Sequence, residues 1–112
     1  MSIDLETRHL ECVRRILRDH VPECEVWAYG SRVRGTSKPF SDLDLAVVSP
    51  HPLPPRRLAL LLDAFVESDL PIKVDVVDWA TAGTDFRRRI AERHEVVSQA
   101  GEIGFEPANT SQ

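Results

Sequence analysis

The chain has only two cysteines and no apolar run long enough to cross a bilayer as a helix. Cys12 and Cys24 are too distant in sequence to form a close metal-binding pair, and His9, His20, His51 and His94 are scattered, so a structural zinc site finds no support. Both thiols are read as reduced and structural. The start MSIDLETRHLE lacks the charged-then-apolar pattern of a secretory signal, which makes the cytoplasm the expected location. An excess of basic charge is also missing. A formal net charge of -4 argues against a protein that holds nucleic acid by neutralising phosphates over a broad surface. Length is short as well: 112 residues make one small domain, with no room for a second core.

What is present is a regular alternation of helical and extended patterns. Asp4 is expected to cap a helix running to about His20, since Leu10, Val13 and Leu17 recur at helical spacing beside Ile16. Pro22 ends it, and Glu25 to Tyr29 reads as a strand bounded by Gly30. A short helix follows from Ser31 to about Gly35, then a loop through Phe40, then a second strand from Asp42 to Val48. The proline-rich stretch Ser49–Pro55 leads into a third helix to about Ser68, with Leu58, Leu61, Leu62, Phe65 and Val66 as its apolar face. Ile72 to Asp78 alternates as a third strand, and Asp85 to about Arg93 is a final helix with Phe86 and Ile90 turned inward. Glu95–Val97 fits either a continuation of that helix or a short extended piece. The expectation is an α+β (α/β) domain over residues 1–98, with a small three-stranded mixed sheet and about four helices in the order α-β-α-β-α-β-α. Residues 99–112 are expected to be a frayed or partner-docking tail.

Chemistry concentrates in Tyr29–Val48, YGSRVRGTSKPFSDLDLAVV. Side chains alternate along a strand, so Asp42 and Asp44 share one face while Leu43, Leu45 and Val47 take the other. Paired carboxylates repel one another unless a cation compensates them. If Gly30-Ser31 and the aspartates serve one site, the end of strand one and the start of strand two must meet, so these strands run antiparallel. Strand three, reached through a helical crossover, runs parallel to strand two and brings Asp75 to the same sheet end. Magnesium suits this oxygen set, with Asp42, Asp44 and Asp75 as candidate ligands for one or two ions. Asp75 is also the best-placed group to help deprotonate an attacking hydroxyl. Gly30 permits close backbone approach to a phosphate, and Ser31 adds a hydroxyl and a helix-start N–H. Arg32 and Arg34, two residues apart, cannot both face that phosphate, and Arg32 is the one chosen here. Arg87–Arg89 reads as a solvated helix face, and Trp27 and Trp79 as core or interface residues.

Gly30-Ser31, ten intervening residues, then Asp42-Leu43-Asp44 resembles the signature of the DNA polymerase beta-like nucleotidyltransferases, and GSRVRGTSKPFSDLDLAVV looks like their minimal nucleotidyltransferase branch. The resemblance runs from the first helix to about Val97. It implies transfer of AMP from ATP, with magnesium, to an acceptor hydroxyl. It also implies an antitoxin paired with a HEPN-type toxin, one of whose tyrosines is adenylylated. Gly30 and Ser31 carry over as phosphate contacts, and Asp42, Asp44 and Asp75 as catalytic metal ligands. Two alternatives stand beside it: an antitoxin that acts by binding alone, and a transferase for a small molecule or RNA whose acceptor-binding subunit is separate.

Overall fold

The computed structural model describes residues 3–101. Its elements are α1 (Thr7–His20), β1 (Glu25–Tyr29), α2 (Ser31–Arg34), β2 (Leu43–Val48), α3 (Pro55–Glu67), β3 (Val74–Asp78), a 3₁₀ turn (Trp79–Thr81), α4 (Thr84–Glu92) and β4 (Glu95–Ser98). The strands form one sheet in the order β3-β2-β1-β4. β1 pairs antiparallel with β2 and with β4, while β2 and β3 are parallel. The strand directions inferred from the need to gather the aspartates are those observed.

The expected three-stranded sheet is corrected to four strands. Glu95–Ser98 leaves α4 and pairs with β1, with Trp27 opposite Val96 and Ala28 opposite Glu95. Four residues after a helix carry too little pattern to announce a strand. Their identity depends on the free edge of β1, which local periodicity does not report.

One sheet face is dry. Val26, Ala28, Leu43, Leu45, Val47 and Val74 are buried there with Val13, Ile16 and Leu17 of α1 and Leu61 and Phe65 of α3. The apolar stripe of α3 is shifted from the expected one, because Val66 is exposed while Leu58, Leu61, Ala64 and Phe65 turn toward the core cluster. Trp27 occupies the other face, stacked on His94 at 3.8 Å and edge-on to Trp79 at 5.2 Å. His94, just beyond α4, thus packs on an indole. Arg87 is also no freely solvated residue. Its guanidinium donates to the carbonyls of Trp79 and Ala80 and lies over the Trp79 ring.

Asp4 is not the cap of α1; that position is taken by Glu6, with no side-chain hydrogen bond. Asp4 is instead clipped to α2. Its N–H donates to the Arg32 carbonyl at 2.7 Å, its own carbonyl accepts from Arg32 Nη1 at 2.6 Å, and its carboxylate accepts from the Ser37 hydroxyl. Among the described residues no helix is long and apolar enough to cross a membrane. Of the expected tail, residues 102–112 lie outside the described residues.

Asp78, buried at the end of β3, holds the proline-rich connection to the sheet. Its carboxylate accepts from the Leu53 N–H at 2.8 Å and the Ala80 N–H at 3.2 Å. Replacing Asp78 by Ala leaves both donors unpaired, and the expected loss is about 1–3 kcal/mol of unfolding free energy, read from urea denaturation.

Candidate active site

The site grows from the register of three strands. Tyr29 is paired with Asp44, and Asp44 with Asp75, so the three lie in one row across β1, β2 and β3. The next row on the same face is Trp27, Ala46 and Val77. The carboxylates therefore stand at the boundary between a packed aromatic floor and the open end of the sheet. Asp42, two residues before Asp44, enters from the loop ahead of β2.

Gly30 closes the row. Its φ of 84° lies in the left-handed region, and a Cβ there would sit 2.5 Å from Asp44 Oδ2. The turn out of β1 and the carboxylate on β2 thus fit only without a side chain. α2 is a single turn, opened by the Gly30 carbonyl, which accepts from the N–H groups of Val33 and Arg34 at 3.0 Å each. So short a helix has little macrodipole, so phosphate binding at Gly30-Ser31 would rest on individual N–H groups and the serine hydroxyl.

Arg32 does not face this space, and its expected phosphate role is corrected. The side chain is buried, 7% exposed, and its guanidinium donates to the carbonyls of Asp4, Lys38, Pro39 and Ser41. Nε and Nη2 hold the loop that leads to Asp42, and Nη1 ties that loop to Asp4. Arg34 is the arginine that turns to the site: it is exposed, and its charge draws the Asp44 carboxyl downward. With Tyr29, Gly30 and Asp44 it lines a cavity of about 540 Å³ whose other wall is Phe86, Arg89, Ile90 and Glu92 of α4 and Arg93 just after it. Tyr29 meets Phe86 edge-on at 5.7 Å. Sequence reasoning missed Arg34, Arg89 and Arg93. The signal was the spacing of Phe86, Arg89, Ile90 and Arg93, which places all four on one helical face. A larger hollow of about 710 Å³ between α1 and β4, edged by Arg14, Arg15 and Arg18, includes none of the aspartates and belongs to a different surface.

Burial pushes the Asp44 carboxyl above the usual carboxylate range, and the charges of Asp75 and Asp42 add to the rise; Arg34 opposes it. Burial, then Asp44 and Asp75, push the Tyr29 phenol up to about 12, so it is a neutral wall. Asp75 has a partial counter-charge in Lys73 Nζ at 3.6 Å, with the lysine side chain largely in water and the carboxylate about half-buried.

Among the described residues, no three His, Cys, Asp or Glu side chains gather closely enough to form a ready-made metal cage. Asp42, Asp44 and Asp75 nevertheless fit magnesium in its usual protein setting. That ion commonly takes one or two carboxylates and completes its shell with water and substrate phosphate oxygens. The electrostatic strain on Asp44, raised by two neighbouring carboxylates, is the kind a bound cation relieves.

A family model for the nucleotidyltransferase domain matches residues 10–97. The chain belongs to the nucleotidyltransferase domain family. A relative from Haemophilus influenzae, named "Probable protein adenylyltransferase MntA", is 45% identical over 98 residues, covering 88% of this chain and 86% of that one. A solved toxin–antitoxin structure with AMP-PNP superposes with a TM-score of 0.69 at 24% identity, covering 84% of this nucleotidyltransferase and 76% of that chain. A second, of a tri-AMPylated Shewanella oneidensis HEPN toxin in complex with an MNT antitoxin, gives 0.65 at 21% identity, covering 88% and 76%. At these identities the structural likenesses speak for the fold.

Gly30→Ala is expected to displace the Asp44 carboxylate or the β1 turn and to reduce nucleotidyl transfer at least about a hundredfold, checked by label transfer from ATP under single-turnover conditions. Asp44→Asn should raise the melting temperature of the metal-free nucleotidyltransferase at neutral pH. An acid whose folded pKa is raised disfavours folding once ionised. The gain should therefore be full above the folded pKa and vanish as pH falls below the ordinary aspartate value, which melting curves from pH 3 to 7 would read.

Proposed function

We propose that this nucleotidyltransferase is an antitoxin that transfers AMP from ATP to a hydroxyl, a tyrosine in the first instance, on a HEPN-type toxin partner in the cytoplasm. The observation that carries the reading is the row of Asp44 and Asp75 closing onto Gly30, with no room for a side chain between them. The 45% identity to a named protein adenylyltransferase over most of both chains supports the donor and the class of acceptor. The partner is supported by solved relatives in complex with HEPN toxins, one of them tri-AMPylated.

In this reading Gly30 and Ser31 receive the β- and γ-phosphates, with Arg34 supplying the cationic contact. Asp42, Asp44 and Asp75 would hold magnesium, which when bound neutralises the triphosphate and acidifies the attacking hydroxyl. Asp75, on the outer strand, takes the proton as the acceptor oxygen bonds to the α-phosphorus. The bond from that phosphorus to the bridging oxygen breaks, and pyrophosphate leaves toward Ser31 and Arg34. Through the cation they would hold, Asp42 and Asp44 would help keep the α-phosphate in line with the entering oxygen. The neutral Tyr29 and Phe86 bound the space beside it.

The chain purified with its partner and given α-labelled ATP and magnesium should label the partner, and mass spectrometry should find AMP on a tyrosine. Asp44→Asn should lower the rate by about a thousandfold or more while the domain stays folded by circular dichroism. Neutralisation of the toxin undiminished in Asp44→Asn would favour binding alone. Label on a small molecule or RNA would favour a different acceptor.

A further inference from the structure

The run Arg87-Arg88-Arg89 reads from sequence as one solvated face of α4, and the structure separates its members. Arg87 donates to the carbonyls of Trp79 and Ala80 at 2.9 Å each. Arg88 pairs at 2.9 Å with Asp85, one turn back, and both side chains are largely in water. Arg89 has no such employment: among the described residues its side chain makes no hydrogen bond or ion pair. Its guanidinium carbon stands over the Phe86 ring, 5.9 Å from the centroid.

That ring fixes where the charge lies. Phe86 meets Tyr29 edge-on at 5.7 Å, and Tyr29 is paired across the sheet with Asp44. Two rings thus carry Arg89 from the carboxylate row, and it lines the same cavity as Gly30, Arg34 and Asp44. Arg93, one turn further along, lines that cavity too. Among the described residues neither it nor Arg34 is in an ion pair. Three arginines without carboxylate partners therefore face one hollow, whose acidic lining is Asp44 and Glu92. Unpaired cations gathered around one space are suited to an anion of several charges. A base stacked there would leave those charges uncompensated, and one arginine already lies over the Phe86 ring.

We propose that Arg89, with Arg93 one turn on, binds the β- and γ-phosphates of the nucleotide from the α4 side, across the cavity from Gly30 and Arg34, and holds the pyrophosphate as it leaves. The inference rests on the nucleotide reading of this site and not on the identity of the acceptor. As the bond from the α-phosphorus to the bridging oxygen breaks, its electron pair stays with the pyrophosphate. The added negative charge then falls between the guanidinium groups of Arg34 and Arg89. A planar guanidinium can donate to two phosphate oxygens at once, which the point charge of a lysine does not reproduce.

The test uses the full chain and needs no acceptor. Binding of ATP and of inorganic pyrophosphate, each with magnesium, is measured by calorimetry for wild type, Arg89→Ala, Arg89→Lys and Arg88→Ala. Arg89→Ala should weaken both ligands by the same factor, about ten- to thirtyfold, with Arg89→Lys between it and wild type and the melting temperature unchanged. Arg88→Ala removes an equal charge outside the cavity and should leave both affinities within about twofold of wild type. Weakened ATP with unaltered pyrophosphate overturns the inference in favour of a contact to the base or ribose. Equal losses in Arg88→Ala and Arg89→Ala overturn it in favour of net charge alone. Wild-type affinities in Arg89→Ala overturn it outright while leaving the nucleotide site standing. If the wild type binds neither ligand, the nucleotide reading fails first and the arginine with it.

Discussion

Asp44 and Asp75 are held in register on adjacent parallel strands, partly withdrawn from the water that would screen them. Most of the molecule can be understood as the means of keeping them there. The dry face under α1 and α3 fixes the strands, with Leu43, Leu45 and Val47 alternating against the carboxylate face. A one-residue slip of β2 would bury Asp44 and expose that apolar set, so the hydrophobic pattern that stabilises the sheet also sets the position of the charge. The burial of Asp44, and after it the repulsion from Asp75 and Asp42, is the cost, and its mark is the raised Asp44 pKa. A cation and a triphosphate would convert that cost into binding energy, which separates an active site from a surface that merely happens to be acidic.

Two arginines two positions apart divide the remaining work. On a helical turn such residues point roughly 200° apart, so the fold can use one for structure and the other for ligand. Arg32 goes inward and joins Asp4 to the loop of residues 38–41; Arg34 stays in solvent beside Asp44. The inward arginine still serves the site, because it sets the path by which the chain enters β2. Its burial is tolerated because the guanidinium finds four carbonyls, giving a charge that water no longer solvates an almost complete set of acceptors.

The strand directions were legible from chemistry: Gly30-Ser31 and the aspartates had to meet, and only an antiparallel β1–β2 and a parallel β2–β3 achieve this. The role of each arginine was not. Helical spacing says that Arg32 and Arg34 oppose one another, but which side is inward depends on Asp4 and on the loop through Ser41, contacts that span up to 28 residues. β4 was illegible for a related reason, since its partner lies almost seventy residues earlier in the sequence, at Trp27 and Ala28. The α4 wall was half legible. Phe86 and Ile90 read as inward from the sequence, but Arg89 reads as part of a solvated face and Arg93 only as the helix end, and it is the position of Tyr29 that shows their face to border the site.

The two flanks of the carboxylate row differ in a way that bears on the size of the acceptor. Toward β1 the row ends in a walled cavity, with Phe86, Arg89 and Arg93 above it and Gly30 at its base. Toward β3 it runs out to the edge of the sheet, and among the described residues no strand lies beyond Asp75. Lys73 covers that edge only loosely, with 71% of its side chain exposed, and can swing away at little cost. A small acceptor would gain few contacts on so open a flank. A folded partner can bring its own surface, cover the edge strand, and exclude water from the reacting phosphorus at the moment its hydroxyl arrives. An incomplete wall beside Asp75 is therefore consistent with catalysis that begins only when the acceptor protein supplies the missing side.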